Sequence, residues 1–182
     1  MSGATRRVAF TATEPYRFCP ADGTKLEEPR RSGGVRCPLC GRSWYRNSAP
    51  SVGAAIVQDG KALVTVRARE PEKGRIDLPG GFLEVGEHPV DGLEREVREE
   101  LGVEVEVLGK PVVLATHTYG TDGAYVLAIG FGARIAEGEP HPSDDVAEIR
   151  WVSAEDLGSL DFAWEHDREL AREALEVGDH NS

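Results

Sequence analysis

The stretch from Pro89 to Gly102 constrains this chain more than any other, because it has to be a helix and it carries two different stripes. Val90, Leu93, Val97 and Leu101 recur at three and four residues, the spacing that gathers apolar side chains on one helix face. Pro89 suits the first helical position, where its missing N–H is no loss, and Gly102 suits the left-handed stop. Beside the apolar stripe, Glu96, Glu99 and Glu100 stand at i, i+3 and i+4 and share a second face. In an isolated helix such like charges repel by roughly 0.2–0.5 kcal/mol per pair. A divalent cation turns that repulsion into binding, and carboxylates on a rigid helix are hard oxygen ligands of the kind Mg²⁺ and Mn²⁺ accept. An acidic face usually means only solvation; what flanks this helix sets that reading aside.

Upstream lies Pro79-Gly80-Gly81, expected to be a tight loop whose glycines let backbone approach the carboxylates. Gly81 is followed after five residues by Glu87, after seven more by Arg95-Glu96-Val97, then by Glu99-Glu100 and Gly102-Val103. Here the chain resembles the Nudix hydrolase family, whose pattern G-x5-E-x7-R-E-U-x-E-E-x-G-U, with U aliphatic, is filled at every position. The resemblance implies an α/β/α sandwich with a mixed sheet. It implies a hydrolase that cuts the diphosphate linkage of a nucleoside diphosphate joined to another group, water attacking phosphorus in line.

It also implies the site. Glu96, Glu99 and Glu100 are the catalytic acids and the Mg²⁺ or Mn²⁺ ligands, with the carbonyl of Gly81 added; Glu87, Arg95, Gly81 and Gly102 are structural, Glu87 and Arg95 bracing the loop against the helix. For the general base, relatives use either a helix glutamate or an acid in a later loop. Asp144, Asp145 and Glu148 are the later acids here, and Asp145 or Glu148 is expected to reach the site, with a solvated loop carboxylate weighed equally.

Around this centre the chain reads as three parts: a flexible tail over 1–15, a small segment over 16–48, and the main domain over 49–182. In the main domain, apolar β-branched runs at 51–58 and 61–68 are joined by Asp59-Gly60, a strong hairpin signal. Short strands are expected at 76–78, 103–108, 112–119, 124–135 and 147–152, with Gly120 to Gly123 forming a second hairpin turn. Ser153 is placed to cap a short helix through Leu157, and 164–175 reads as a C-terminal helix.

The segment over 16–48 is too poor in apolar side chains to bury a core of its own. It contains two near-copies of one knuckle, Cys19-Pro20-Ala21-Asp22-Gly23 and Cys37-Pro38-Leu39-Cys40-Gly41. These resemble a zinc ribbon, found ahead of some Nudix domains, with Asp22 standing where the second cysteine belongs. Two alternatives stay open: one structural Zn²⁺ on Cys19, Asp22, Cys37 and Cys40, or a metal-free ribbon held by packing of Trp44 and Tyr45.

The formal charge of -11 disfavours broad contact with nucleic acid, and the absence of a long apolar run disfavours a membrane span or secretory leader, so a cytoplasmic location is expected. The expected partner is a small nucleoside diphosphate derivative, and the family resemblance adds a homodimer. Nothing over 103–135 resembles the SQPW-type motif of NADH pyrophosphatases, and Thr118 occupies the place of a proline associated with one ADP-ribose class. Tyr119 falls near a tyrosine linked to dinucleoside polyphosphate hydrolases, a lightly weighted match. The remaining likeness is to ADP-ribose pyrophosphatase-like proteins with a zinc ribbon. Two other readings stay open: a catalytically silent nucleotide-binding regulator, and a hydrolase of the capped end of RNA.

Overall fold

The computed structural model describes residues 16–27, 34–120 and 123–179. The tail expected over 1–15 and the centre of the hairpin turn at 121–122 lie outside the described residues. The described residues fall into two compact units, one within Met1–Ser48 and Thr118–Tyr125, the other within Ala49–His117 and Val126–Ser182.

In the first unit, β1 (Val35–Arg36) pairs antiparallel with β2 (Ser43–Trp44), and Phe18 bridges Lys25. Its hydrophobic cluster, among the described residues, is Cys19, Leu26, Val35 and Cys37, with Trp44 packed against them. Tyr45 is largely exposed but lays its ring on Gly34, where an added Cβ would come within 2.6 Å of it.

The second unit is built on one sheet. Its strands are β3 (Ala49–Gln58), β4 (Lys61–Arg67), β5 (Ile76–Asp77), β6 (Gly80–Phe82), β7 (Glu104–Tyr119), β8 (Ala124–Glu137) and β9 (Val146–Val152). The order is β5-β4-β3-β8-β7, with β6 also on β3 and β9 also on β4. β3 runs parallel to β8 and antiparallel to β4 and β6, so the sheet is mixed. Alternation along β3 decides the layers. Val52, Ala54 and Ile56 pack with Leu93, Val97 and Leu101 of α1 (Pro89–Leu101). Ala55 packs with Leu170, Ala171 and Leu175 of α2 (Glu165–Asp179) on the other face. The result is the expected α/β/α sandwich.

The structure differs from the sequence reading in three local ways. Gly80–Phe82 is not a free loop but a short strand, with Gly81 opposite Val52 and Gly80 opposite Gly53, so its backbone groups enter the ladder. The two strands expected at 103–108 and 112–119 are one, β7, which passes through Gly109 at φ 69 without ending. Beyond β9, the short helix is a 3-10 turn over Asp156–Gly158, and Ser153 serves it as a donor: its N–H and Oγ reach the Asp156 carboxylate at 2.9 and 2.7 Å.

Candidate active site

α1 delivers the acids, and its ends are fixed as the sequence demands. His88 Nδ1 accepts from the Val90 N–H at 3.3 Å, Pro89 opens the first turn, and Gly102, at φ 68, donates its N–H to the Arg98 carbonyl at 3.0 Å. The apolar stripe buries Leu93, Val97 and Leu101 completely. That burial fixes the rotation of the helix and turns Glu96 and Glu100 toward β6.

Two glycines of β6 make the approach possible. A Cβ on Gly80, whose φ is 151, would stand 2.1 Å from the Val52 carbonyl of β3. A Cβ on Gly81 would stand 2.5 Å from the Glu96 carboxylate. The Gly80 N–H donates to Glu100 Oε2 at 2.9 Å, tying strand to helix.

Arg95 organises the rest. Its Nε and Nη2 donate to the two oxygens of Glu87 at 2.8 and 2.9 Å, a bidentate pair. Nη2 also reaches the Phe82 carbonyl at 3.2 Å, and Nη1 reaches Glu96 at 2.7 Å and Glu99 at 3.4 Å. The Glu84 N–H completes the brace by donating to Glu87 at 2.8 Å. Arg95 and this N–H hold the Glu87 carboxyl down at about 2.

Glu100 is only 7% exposed. Burial pushes it well above the usual carboxylate range, and Asp145 and Asp77 add to the shift. Burial also lifts Glu96, with Glu99 and Asp145 adding to it. Glu99 lies further out, its side chain about half exposed. Three acids, Glu96, Glu100 and Asp145, thus crowd together, with burial opposing the ionisation of Glu96 and Glu100, the condition a bound cation relieves. Their oxygens are not drawn together as tightly as a closed site: among the described residues, the one group of at least three ligand-type side chains with all ligand atoms within 4.8 Å is elsewhere.

Of the two later acids, the structure brings Asp145 to the cluster and not Glu148. Glu148 stands opposite Val66 in the β4–β9 register, and Val66 belongs to the core under α2, the face away from α1. Its exposed carboxylate is held by Arg150 at 2.7 Å. Asp144 is likewise exposed and paired, with Arg69 at 3.1 Å.

The tight group of ligand atoms is Cys19, Asp22, Cys37 and Cys40. The knuckles match in backbone: Cys19 N–H to Thr24 carbonyl and Gly23 N–H to Cys19 carbonyl in one, Cys37 N–H to Arg42 carbonyl and Gly41 N–H to Cys37 carbonyl in the other. Cys19 Sγ and Cys40 Sγ lie 3.7 Å apart, and Cys37 Sγ lies 3.5 Å from Asp22 Oδ2. The Thr24 N–H at 2.9 Å from Oδ1 keeps Asp22 ionised and pointed inward. Asp22 therefore completes the cluster in space, at the place in the first knuckle that Cys40 takes in the second.

The sequence reading passed over a second cluster, assembled from β4, β5, β7 and α2. Arg67 Nη1 donates to Asp77 Oδ2 at 2.5 Å, and its guanidinium lies 4.8 Å from the centre of the Trp164 ring. His117 and His166 stack at 4.7 Å, with Trp164 tilted against His117 at 5.2 Å. Behind His166, Asp167 is 6% exposed and Asp77 lies beside it. Burial and Asp77 hold Asp167 well above the usual range, and burial also lifts Asp77. Asp167 Oδ2 is buried without a hydrogen-bond partner among the described residues, and the two neighbouring carboxyls oppose each other's ionisation. No local spacing announces this group, because its members are far apart in the chain; Trp164-Glu165-His166-Asp167 at the head of a helix is its one compact signal.

Residues 47–174 match the family model for the NUDIX domain. The chain is 30% identical over 152 residues to a protein of Stutzerimonas stutzeri described as NAD-capped RNA hydrolase NudC, covering 82% of this chain and 52% of that one. It is 32% identical over 118 residues to the ADP-ribose pyrophosphatase of Methanocaldococcus jannaschii, covering 65% and 69%. This chain therefore spans about half the length of the NudC relatives it matches. Among solved structures, a NUDIX hydrolase from Nitrosomonas europaea superposes with a TM-score of 0.71 over 92% of this chain and 94% of that one, at 24% identity.

Proposed function

Because the chain belongs to the NUDIX family, we propose that it is a metal-dependent hydrolase cutting the diphosphate linkage of a nucleoside diphosphate joined to another group, with ADP-ribose as the first candidate. The observation that carries this reading is the set of crowded acids, buried Glu100 with half-buried Glu96 and Asp145, gathered against the glycine strand β6. Such a group costs the fold stability unless cations neutralise it, and its donors are all hard oxygens, which fits Mg²⁺ or Mn²⁺. Glu96, Glu99 and Glu100, with the Gly81 carbonyl, hold the cation. When bound, it neutralises charge on the phosphates and lowers the pKa of an attacking water.

The chain's own residues do the rest. Arg95 and Glu87 keep β6 and α1 in register, so that acids and glycines face one substrate position. Water oxygen bonds to phosphorus as the bridging P–O bond breaks, and the water's proton passes to the Glu100–Asp145 carboxyl pair beside the glycine strand. The products are a nucleoside monophosphate and the phosphorylated remainder. Glu148, exposed and held by Arg150, has no part in this.

In the N-terminal segment, taken as a module separate from the catalytic domain over 49–182, Cys19, Asp22, Cys37 and Cys40 hold one structural zinc. A cytoplasmic homodimer completes the reading. The description of the NudC relatives supports a second one, action on the diphosphate at the capped end of an RNA; it uses the same bond and site, and the acidic charge of -11 weighs against it. A panel of ADP-ribose, NADH, FAD, dinucleoside polyphosphates, sugar nucleotides, nucleoside triphosphates and NAD-capped RNA, with Mg²⁺ or Mn²⁺ and products resolved by chromatography, separates these readings. Turnover of ADP-ribose above the rest is the expected result; no turnover of any compound points to the silent nucleotide-binding regulator.

A further inference from the structure

We propose that His117, Trp164 and His166 form the seat for the aromatic base of the nucleoside diphosphate, holding it while the phosphates lie over Gly80 and Gly81. This rests on the reading of the acids on α1 as a diphosphate site, and it begins with a break in the core. On the face of β7 covered by α2, Val113 and Ala115 join the apolar cluster, and the next residue on that face is His117. There the core gives way to rings that are only partly covered.

These rings do not stabilise the fold in an ordinary way. His117 Nδ1 is buried without a hydrogen-bond partner among the described residues, a condition that costs about 1–3 kcal/mol. What holds the ring is contact with Trp164 and His166. Burial lowers both imidazoles, His166 to about 4, so at neutral pH the cluster presents uncharged π-surfaces. Uncharged rings suit a planar base and offer a phosphate no cation to pair with.

The second layer fixes the rings from behind. Arg67 lies against Trp164 while bound to Asp77, and Asp167 lies beside Asp77 and 3.5 Å from His166 Nε2. A bidding for metal can be set aside, since the two histidines and two aspartates do not form a ligand group within 4.8 Å among the described residues. The cluster is also joined to the acids. Asp77 opens the run to Gly81, four steps that span at most roughly 14 Å, and a Cβ on Gly53, the partner of Gly80, would lie 3.9 Å from Asp167. The back of the cluster, Asp77 and Asp167, is therefore tied to the strands that carry Gly80 and Gly81.

The test uses full-length protein and two small probes, AMP and the base-free ribose 5-phosphate, with binding measured by calorimetry in Mg²⁺. Stacking of one base on an aromatic side chain is worth a factor of about 5 to 150 in affinity. Trp164→Ala is expected to weaken AMP by a factor in that range, leave ribose 5-phosphate unchanged, and raise KM for ADP-ribose with little change in kcat. Trp164→Phe should restore most of the loss, and His117→Ala should show a smaller loss with the same selectivity, which covers the case that Trp164→Ala fails to fold. Unchanged AMP binding in folded Trp164→Ala or His117→Ala overturns the proposal, as does equal loss of both probes or a wild-type protein that binds AMP no better than ribose 5-phosphate. Selective AMP binding without hydrolysis of any diphosphate instead leaves the base seat standing and removes the proposed activity.

Discussion

Gly80 and Gly81 are neighbours in one short strand, yet alanine at each should fail in a different way. At Gly81 a Cβ lies 2.5 Å from the Glu96 carboxylate, against an ordinary contact of at least 3.4 Å, so the carboxylate has to retreat by about 0.9 Å. The obstacle is the far end of a flexible side chain, and Gly81 is not among the residues with positive φ, so alanine fits the backbone. The fold should be nearly unaffected. A ligand or reacting group misplaced by about 1 Å can cost on the order of 10²-fold in rate, and a loss of kcat of that size is expected for Gly81→Ala. At Gly80 the obstacle is the Val52 carbonyl at 2.1 Å, backbone of a central strand, and φ is 151. Backbone strain alone is worth about 1–3 kcal/mol, and the clash adds to it, so Gly80→Ala should lower stability first and activity only in consequence. Thermal unfolding and Mg²⁺-dependent turnover of ADP-ribose, measured on both variants, separate the two. Full kcat in Gly81→Ala, or a fall in its melting temperature matching that of Gly80→Ala, refutes the placement of Glu96 against the glycine strand.

Glu100→Gln should lower kcat by about 10²–10⁴-fold while leaving or raising thermal stability, because a buried acid is replaced by a neutral amide; near-normal turnover in folded protein would remove Glu100 from the site. Glu87 is depressed from an ordinary 4.5 to about 2, so its stabilisation is complete above 4.5 and is lost as pH falls toward 2. Glu87→Gln should flatten that part of the acid-unfolding curve, and an unchanged curve contradicts the Glu87–Arg95 brace. Purified protein should carry close to one zinc per chain by elemental analysis, and Cys37→Ser should lower that content with most hydrolysis retained; abolished turnover in folded Cys37→Ser would mean the two modules are not separate. Glu148→Gln should leave kcat unchanged where Asp145→Asn lowers it, and the reverse would restore Glu148 as a candidate.

What the sequence made legible was local. α1 runs over Pro89–Leu101 with Gly102 left-handed, as expected, because proline, apolar spacing and glycine all act within four residues of one another. The hairpin at Asp59-Gly60 was readable for the same reason. Strand β6 was not, since a glycine pair reads as a loop until its partner β3 is in place. The choice between Asp145 and Glu148 needed the sheet: alternation along β9 puts Glu148 with Val66 on the α2 face, and that register depends on β4. Of the His117–Trp164–His166 group, spacing carried only the run from Trp164 to Asp167, because only the sandwich brings β7 to the head of α2.

The most direct test of the central claim is product analysis of ADP-ribose hydrolysis by wild-type protein with Mg²⁺, repeated after chelation. The expected result is AMP and ribose 5-phosphate in equal amounts, no turnover after chelation, and recovery when Mg²⁺ or Mn²⁺ is restored. Turnover indifferent to chelation, or release of orthophosphate in place of the two monophosphates, contradicts a cation held by Glu96, Glu99 and Glu100 that cuts the bridge between the phosphorus atoms.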